Sequence, residues 1–372
     1  MLKVAIVGCG KQADAHATAI QELPNCELVG VCDTEELMAR QLAERFNAKR
    51  HFTDVHALLE GARPDVVHVI TPPHSHLAVG KLCLEAGCHV FFEKPFTLNA
   101  RQAAEIVELA TRRRRKITVG HNNQFNHVSV QMRELIRAGA LGGDPVHMES
   151  RWSYDLGDKV FAKALLSDKS HWVRSLPGRL LHNIISHGIG RIAEFMKSDT
   201  ATVHAHGFSS PLVRSINETD IKDELRVIIA DTENTTAYFT FSSQVFPRVQ
   251  EFRVYGPKGS LVIDDMHQTL IRTVNTNYKY YLNHFVPPVL YARQYLANAR
   301  RNVSKFLRKD FHFESGRKRL IEEFYNSITS DAPLPLSYRE ILLVSRIMDD
   351  IFDQISGNRT AEPARVYANL AG

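Results

Sequence analysis

The tripeptide Glu93-Lys94-Pro95 carries the residue types best suited to chemistry in this 372-residue chain. It follows Cys88-His-Val-Phe-Phe92, an apolar run that reads as a buried strand. Solvation alone explains a lysine at the end of such a strand poorly. Its ammonium can hydrogen-bond a hydroxyl and stabilise the alkoxide that develops as a hydride departs. Glu93 is suited to hold both Lys94 and the ribose of a nucleotide. A second group lies far along the chain. Leu180 to Met196 suits a single helix containing His182, Asn183 and His187. The step from Asn183 to His187 sets both on one helical face. Leu180, Ile184, Ile192 and Phe195 add an apolar stripe, so the helix is expected to line a cleft. Trp172 and Arg179, just upstream, are the further candidates for substrate contact.

Such groups need a frame, and the N-terminus supplies one. Lys3-Val-Ala-Ile-Val7 suits a strand buried on both faces. Gly8-x-Gly10-x-x-Ala13 follows, then a helix-like run to Leu23. Gly8 allows a tight turn, Gly10 lets the backbone approach a pyrophosphate, and Ala13 lets the helix pack closely. Lys11 and Gln12 lie inside the turn, at the positive end of the helix dipole. The next strand, Glu27-Leu-Val-Gly-Val-Cys32, ends in Asp33. A carboxylate about 20 residues past the glycines accepts hydrogen bonds from the adenosine ribose. It would repel a 2′-phosphate, so NAD is the expected cofactor and NADP the alternative.

Strands and helices go on alternating at βαβ spacing. Pro64 to Thr71 is a strand and Thr71-Pro-Pro-His-Ser-His76 the loop at its carboxyl end. Lys116 to Gly120 is a strand leading to Asn122. The fold class expected is α/β, with a doubly wound parallel sheet over 1–122 and a second unit over 123–372. Gly8, Asp33, Thr71, Glu93 and Asn122 all fall at carboxyl ends of strands, where such sheets bind ligands. Hydrophobic content of 44% is ample for packed cores. No apolar run spans a bilayer, and the first strand leaves no room for a signal peptide, so a cytoplasmic protein is expected. The five cysteines are odd in number and lack metal-type spacing, which predicts reduced thiols with no disulfide and no metal.

Together, Gly8-x-Gly10-x-x-Ala13 with His16, Asp33, Thr71-Pro-Pro-x-x-His76 and Glu93-Lys94-Pro95 resemble the glucose–fructose oxidoreductase/inositol dehydrogenase (Gfo/Idh/MocA) family. The resemblance covers nearly the whole chain. It implies an N-terminal Rossmann domain, a C-terminal domain on an open, mostly antiparallel sheet, and NAD(P)-dependent oxidation or reduction of a secondary alcohol of a sugar or polyol. The substrate class expected is a nucleotide-linked or phosphorylated sugar. By the same resemblance Glu93 and Lys94 contact cofactor and substrate, while Thr71 and His76 lie along the cofactor. His187 matches the family histidine. Asn183 and Gly190 stand where the family carries carboxylates, and Gln124 where it often carries arginine. Proton transfer is then expected to rest on Lys94 and His187 together. The resemblance also admits a redox-neutral sugar lyase or hydrolase, or a non-catalytic dinucleotide-binding regulator, and it suggests a homo-oligomer.

Several later strands joined by short turns support the antiparallel sheet. Ser315 to Ser330 and Tyr338 to Ile355 read as amphipathic helices. The net charge of +5 is unevenly distributed: Met266 to Lys309 holds eight Lys or Arg and no acid, and taking those eight away leaves the remainder at −3. That is a local feature and not a nucleic-acid signature. Within it, 287–309 has the spacing of a basic amphipathic helix, with Val289, Ala292, Leu296, Ala299, Val303 and Phe306 on one face. The expectations for it are a peripheral contact with an anionic membrane, a receptor for a phosphate-bearing substrate, or a subunit contact or cleft cover.

Overall fold

The computed structural model describes residues 1–156, 168, 170–215, 218, 220–233, 235–274, 278–308 and 315–357. Lys309, the last cation of the basic stretch, lies outside them. The first unit alternates strands and helices: β1 (Leu2–Val7), α1 (Ala13–Glu22), β2 (Cys26–Cys32), α2 (Glu36–Arg45), β3 (His51–Phe52), α3 (Val55–Ala62), β4 (Val66–Val69), α4 (His76–Glu85), β5 (His89–Phe92), α5 (Ala100–Arg112) and β6 (Ile117–Val119). The strands pair in the order β3-β2-β1-β4-β5-β6, all parallel. Val4, Ile6, Val66, Val67, Val90 and Phe91 are fully buried, as a sheet covered on both faces requires. The order reverses between β1 and β4, which opens the ligand crevice at their carboxyl ends. Helix starts are fixed locally: Asp54 accepts from the Ala57 amide ahead of α3, and Asn99 accepts from the Gln102 amide ahead of α5.

The second unit holds α6 (His127–Arg137), β7 (His147–Ser153), α7 (Arg179–Ile184), α8 (Ser186–Phe195), β8 (Ala201–Phe208), α9 (Pro211–Ser215), β9 (Glu224–Asp231), β10 (Thr236–Ser242), β11 (Gln250–Tyr255), β12 (Gly259–Asp264) and β13 (Thr269–Val274). Its seven strands pair as β13-β12-β11-β7-β10-β9-β8, antiparallel except for β7 beside β10. Phe239, Phe241, Phe252, Ile189 and Ile192 form its core. The helix expected over Leu180 to Met196 is two helices, α7 and α8, separated at Ile185. Gly188 is the close contact of α8 with the sheet, since a Cβ there would collide with Phe239 and Trp152.

Three helices end the described chain: α10 (Val286–Leu307), α11 (Ser315–Thr329) and α12 (Tyr338–Ile355). The chain returns through α11 to the first unit, where Leu320, Ile321, Phe324 and Tyr325 join the core of the parallel sheet. Ser337 caps α12 by accepting from the Glu340 amide. Helix α10 closes the edge of β13 with two side-chain amides. Asn298 accepts from the Leu270 amide at 3.1 Å and donates to its carbonyl at 2.8 Å. Gln294 does the same at Arg272, at 2.8 and 2.9 Å. An exposed strand edge is thereby satisfied without another strand. The stripe that meets this chain is therefore polar, and the apolar stripe of α10 is exposed, so α10 does not cover the cleft with that face.

Candidate active site

Two glycines with opposite surroundings form the turn after β1. Gly8 has a φ of +98°, and a Cβ there would lie 2.8 Å from the carbonyl carbon of Ile70 and the amide nitrogen of Thr71. Gly10 has nothing within 4 Å of such a Cβ. Gly8 is therefore needed by the fold, while Gly10 leaves open the space a pyrophosphate would use. Asp33 Oδ2 accepts from the Cys9 amide at 2.7 Å, and its Oδ1 accepts from Glu35 at 3.0 Å. Its half-buried carboxylate thus stands at the turn. This arrangement fits a dinucleotide. Lys11 and Gln12 are exposed at the start of α1, and Gln12 Oε1 accepts from Arg317 at 2.9 Å.

The loop after β4 is held by His76, which is fully buried with both ring nitrogens 2.7 Å from carbonyls, those of Thr71 and Phe96. His76 ties the Thr71 loop to the turn after β5 and has no free nitrogen to offer a ligand. Asn122 is half-buried after β6, at the point where Gly316 of α11 packs on its carbonyl.

Glu93 is the hub. Its Oε2 accepts from the Lys94 amide at 2.9 Å and its Oε1 from His16 Nε2 at 2.9 Å. Arg317 approaches Oε1 at 3.9 Å. Burial would raise the Glu93 pKa, but the His16 bond and the charges of Arg317 and Lys94 outweigh it and hold the carboxyl at about 2. An ionised carboxylate only accepts, so His16 Nε2 must donate. Burial keeps His16 and His68 neutral. His16 Nδ1 is then bare and accepts from His68 Nδ1 at 2.8 Å. His68 Nε2 in turn accepts the hydroxyl of Tyr325 at 2.8 Å, whose pKa burial pushes well up. Four buried side chains form a one-directional file of hydrogen bonds running from Tyr325 to Glu93.

Lys94 Nζ points across to the second unit. It donates to the Asn183 carbonyl at 3.0 Å and lies 3.4 Å from Asn183 Oδ1. The last carbonyls of a helix lack intrahelical partners, and the dipole there favours a cation. The break between α7 and α8 thus gives Lys94 its seat. Burial lowers the Lys94 pKa, Glu93 raises it and Arg317 lowers it, with a net fall. His187 stacks on Trp152 with ring centroids 5.8 Å apart and meets His121 edge-on at 6.2 Å. Its Nδ1 is buried without a hydrogen-bond partner. Burial, then the charge of Lys94, keeps His187 neutral, with a pKa well below the usual histidine range. No carboxylate takes the place of Asn183 to oppose this.

The two other departures from the family pattern meet at one spot. A Cβ on Gly190 would lie 3.1 Å from Gln124 Oε1 and 3.3 Å from His121 Nδ1. Gln124 Nε2 reaches Glu340 at 2.6 Å and Glu194 at 3.1 Å instead. Burial first, and then the charge of Glu194, raises the Glu340 pKa to about 8. Trp172 and Arg179 stand apart from Lys94: Trp172 stacks on His171 and Arg179 pairs with Asp220. Among the described residues neither side chain makes a hydrogen bond, ion pair or ring contact with Lys94, Asn183 or His187. Sequence reasoning missed His68, His121, Trp152, Arg317 and Tyr325. No local pattern marks them, because each meets the site through a contact distant in sequence.

Among the described residues no cluster of His, Cys, Asp or Glu is arranged to hold a metal. No described helix is long and apolar enough to cross a membrane. Residues 2–121 match the model of the oxidoreductase family with an NAD-binding Rossmann fold, and residues 129–262 match the GFO/IDH/MocA C-terminal domain. The D-glucoside 3-dehydrogenase of Escherichia coli (strain K12) is 36% identical over 142 residues, 38% of this chain and 40% of that protein. The UDP-N-acetylglucosamine 3-dehydrogenase of Acidithiobacillus ferrooxidans is 31% identical over 149 residues, 40% of this chain and 44% of that protein. The matched segment thus spans less than half the length of either relative. The crystal structure of an NAD binding oxidoreductase from Klebsiella pneumoniae superposes with a TM-score of 0.77 at 20% identity, over 96% of this chain and 97% of the other. With both halves matched and the glycine turn, Asp33 and Glu93-Lys94-Pro95 gathered at one sheet edge, the chain belongs to the Gfo/Idh/MocA oxidoreductase family.

Proposed function

We propose that this chain is an NAD-dependent dehydrogenase acting on a secondary alcohol of a sugar, with a nucleotide-linked or phosphorylated sugar as the substrate class. The observation that carries the reading is Lys94 Nζ, held by Asn183 across the cleft and beside a neutral His187. When bound, a nicotinamide ring supplies the hydride acceptor. Gly8, Gly10 and Asp33 would hold the dinucleotide, with Lys11, Gln12, Thr71, Glu93 and Asn122 around it. The Asp33 carboxylate favours the free ribose hydroxyls of NAD over the 2′-phosphate of NADP. Lys94 hydrogen-bonds the reacting hydroxyl and, with its pKa lowered by burial, is better suited than a solvated lysine to exchange its proton. His187, neutral and with Nδ1 unpartnered, is the second proton acceptor. Asn183 keeps Lys94 in place and offers its carboxamide to a neighbouring hydroxyl. Trp172 and Arg179 would meet the distal part of the sugar.

The similarity to a D-glucoside 3-dehydrogenase and a UDP-N-acetylglucosamine 3-dehydrogenase supports a sugar substrate, and the second of these supports a nucleotide-linked one. The test is NADH formation across a panel of free, phosphorylated and nucleotide-linked sugars, repeated with Lys94→Ala. The expected result is turnover with one class, a fall of orders of magnitude in the variant, and NAD affinity changed by a small factor. Equal turnover in the variant would remove Lys94 from the chemistry. Sugar turnover without net NADH would replace the dehydrogenase by a redox-neutral cycle.

A further inference from the structure

We infer that the outward face of α10 is a docking surface for an anionic phospholipid bilayer. The helix is amphipathic in an inverted sense. Its inward stripe is polar: Asn298, 2% exposed, and Gln294 clasp β13, while Asn302 donates to the carbonyls of His267 and Gln268. Arg301 also turns inward, to Gln131. At 100° per residue, Val289, Leu296 and Val303 fall nearly opposite that stripe and Phe306 at the edge of the apolar face, and they are 53, 59, 58 and 68% exposed. Phe285 at the helix start, with Tyr280 and Tyr281 in the turn before it, extends the exposed apolar surface. A row of this length is more than the scattered apolar residues of an ordinary surface.

Charge selects the occupant. Arg293 and Arg300 flank the apolar row and Arg308 follows it; all three are exposed and carry no ion pair among the described residues. No acid occurs from Met266 to Lys309, and the rest of the chain sums to −3. The excess of positive charge is thus concentrated in the stretch that contains α10, and an anionic surface would attract that stretch first. A second copy packed symmetrically on this face would bring the arginines against each other. A lipid interface takes the apolar row a few ångströms into the headgroup boundary, with arginines among the phosphates and tyrosine rings at the interface level.

The test uses the full chain and sedimentation with vesicles of phosphatidylcholine and phosphatidylglycerol, three to one, against phosphatidylcholine alone. Expected are pelleting with the anionic vesicles at low salt and release at high salt. Arg293→Gln, Arg300→Gln and Arg308→Gln together should lower partition on the order of a hundredfold, about fivefold per charge. Leu296→Asp with Phe306→Asp should abolish it, with melting temperature and NAD binding unchanged. Tyr295→Trp should show a blue shift on anionic vesicles and quenching by brominated lipid. Absence of pelleting, or equal pelleting on neutral vesicles, overturns the proposal. So does binding that needs the arginines but not Leu296 and Phe306, which would mark a general polyanion site. Dissociation of an oligomer by the same variants in light scattering would assign the face to a second copy instead.

Discussion

The two glycines of the first turn should fail in different ways when each gains a methyl group. Gly8→Ala places a Cβ 2.8 Å from two backbone atoms, Ile70 C and Thr71 N, at a φ of +98°. Neither atom can swing aside as a side chain would. The left-handed conformation costs about 1–2 kcal/mol, and forcing β1 off the end of β4 about 1–3 more. A loss of roughly 2–5 kcal/mol is a large share of a native margin of about 5–15. Gly10→Ala meets nothing within 4 Å and lacks the left-handed backbone, so its melting temperature should stay near that of the parent. Its methyl instead occupies the approach of the pyrophosphate. An overpacking cost of about 1–3 kcal/mol at the ligand corresponds to a rise in the NAD dissociation constant of roughly 5- to 150-fold. Thermal melts and NAD titrations of both variants are the assay. NAD affinity within twofold of the parent in Gly10→Ala would refute the assignment of that space. An unchanged melt for Gly8→Ala would refute the close approach of β1 and β4.

Three further outcomes are expected. Glu340→Gln should stabilise the protein in a pH-dependent way. The raised pKa means the native state holds a proton that the unfolded chain releases, so stability falls as pH rises from about 4.5 to about 8. The variant keeps an oxygen for Gln124 and should melt higher than the parent at about pH 9, with the gap closing toward about pH 5. Tyr325→Phe should cost about 1–3 kcal/mol by leaving His68 Nε2 buried and unpaired. Adding His68→Phe should then cost less than the two losses combined, and additive losses in that cycle would dissolve the file of hydrogen bonds.

Backbone requirements were the legible part of this molecule. Gly8, Gly10, Ala13 and Asp33 stand out because a turn, a phosphate and a ribose each constrain one position within a short window. Glu93-Lys94 stands out because two charges directly follow a buried strand. The parallel sheet followed from its nearly continuous apolar strands. Long-range partners were not legible: His68 and Tyr325 are 257 positions apart. His68 reads as an ordinary strand residue and Tyr325 as part of an amphipathic helix. The break at Ile185 was hidden because Leu180 to Met196 keeps helical spacing through it. For α10 the spacing identified the amphipathic helix but could not say which stripe turns inward. That depended on the unpaired edge of β13, which amides satisfy and hydrocarbon does not.

The return of α11 to the parallel sheet bears on the order in which the molecule can mature. Arg317 and Tyr325, which brace Glu93, emerge from the ribosome only after the whole second sheet has been made. Until then the early half has its strands but leaves Phe91 without Phe324 and His68 without its phenol. A nascent chain stopped before α11 would display a greasy gap and an unbraced carboxylate. The bracing of Glu93 is therefore completed late in synthesis, well after the glycine turn on the same sheet has been made.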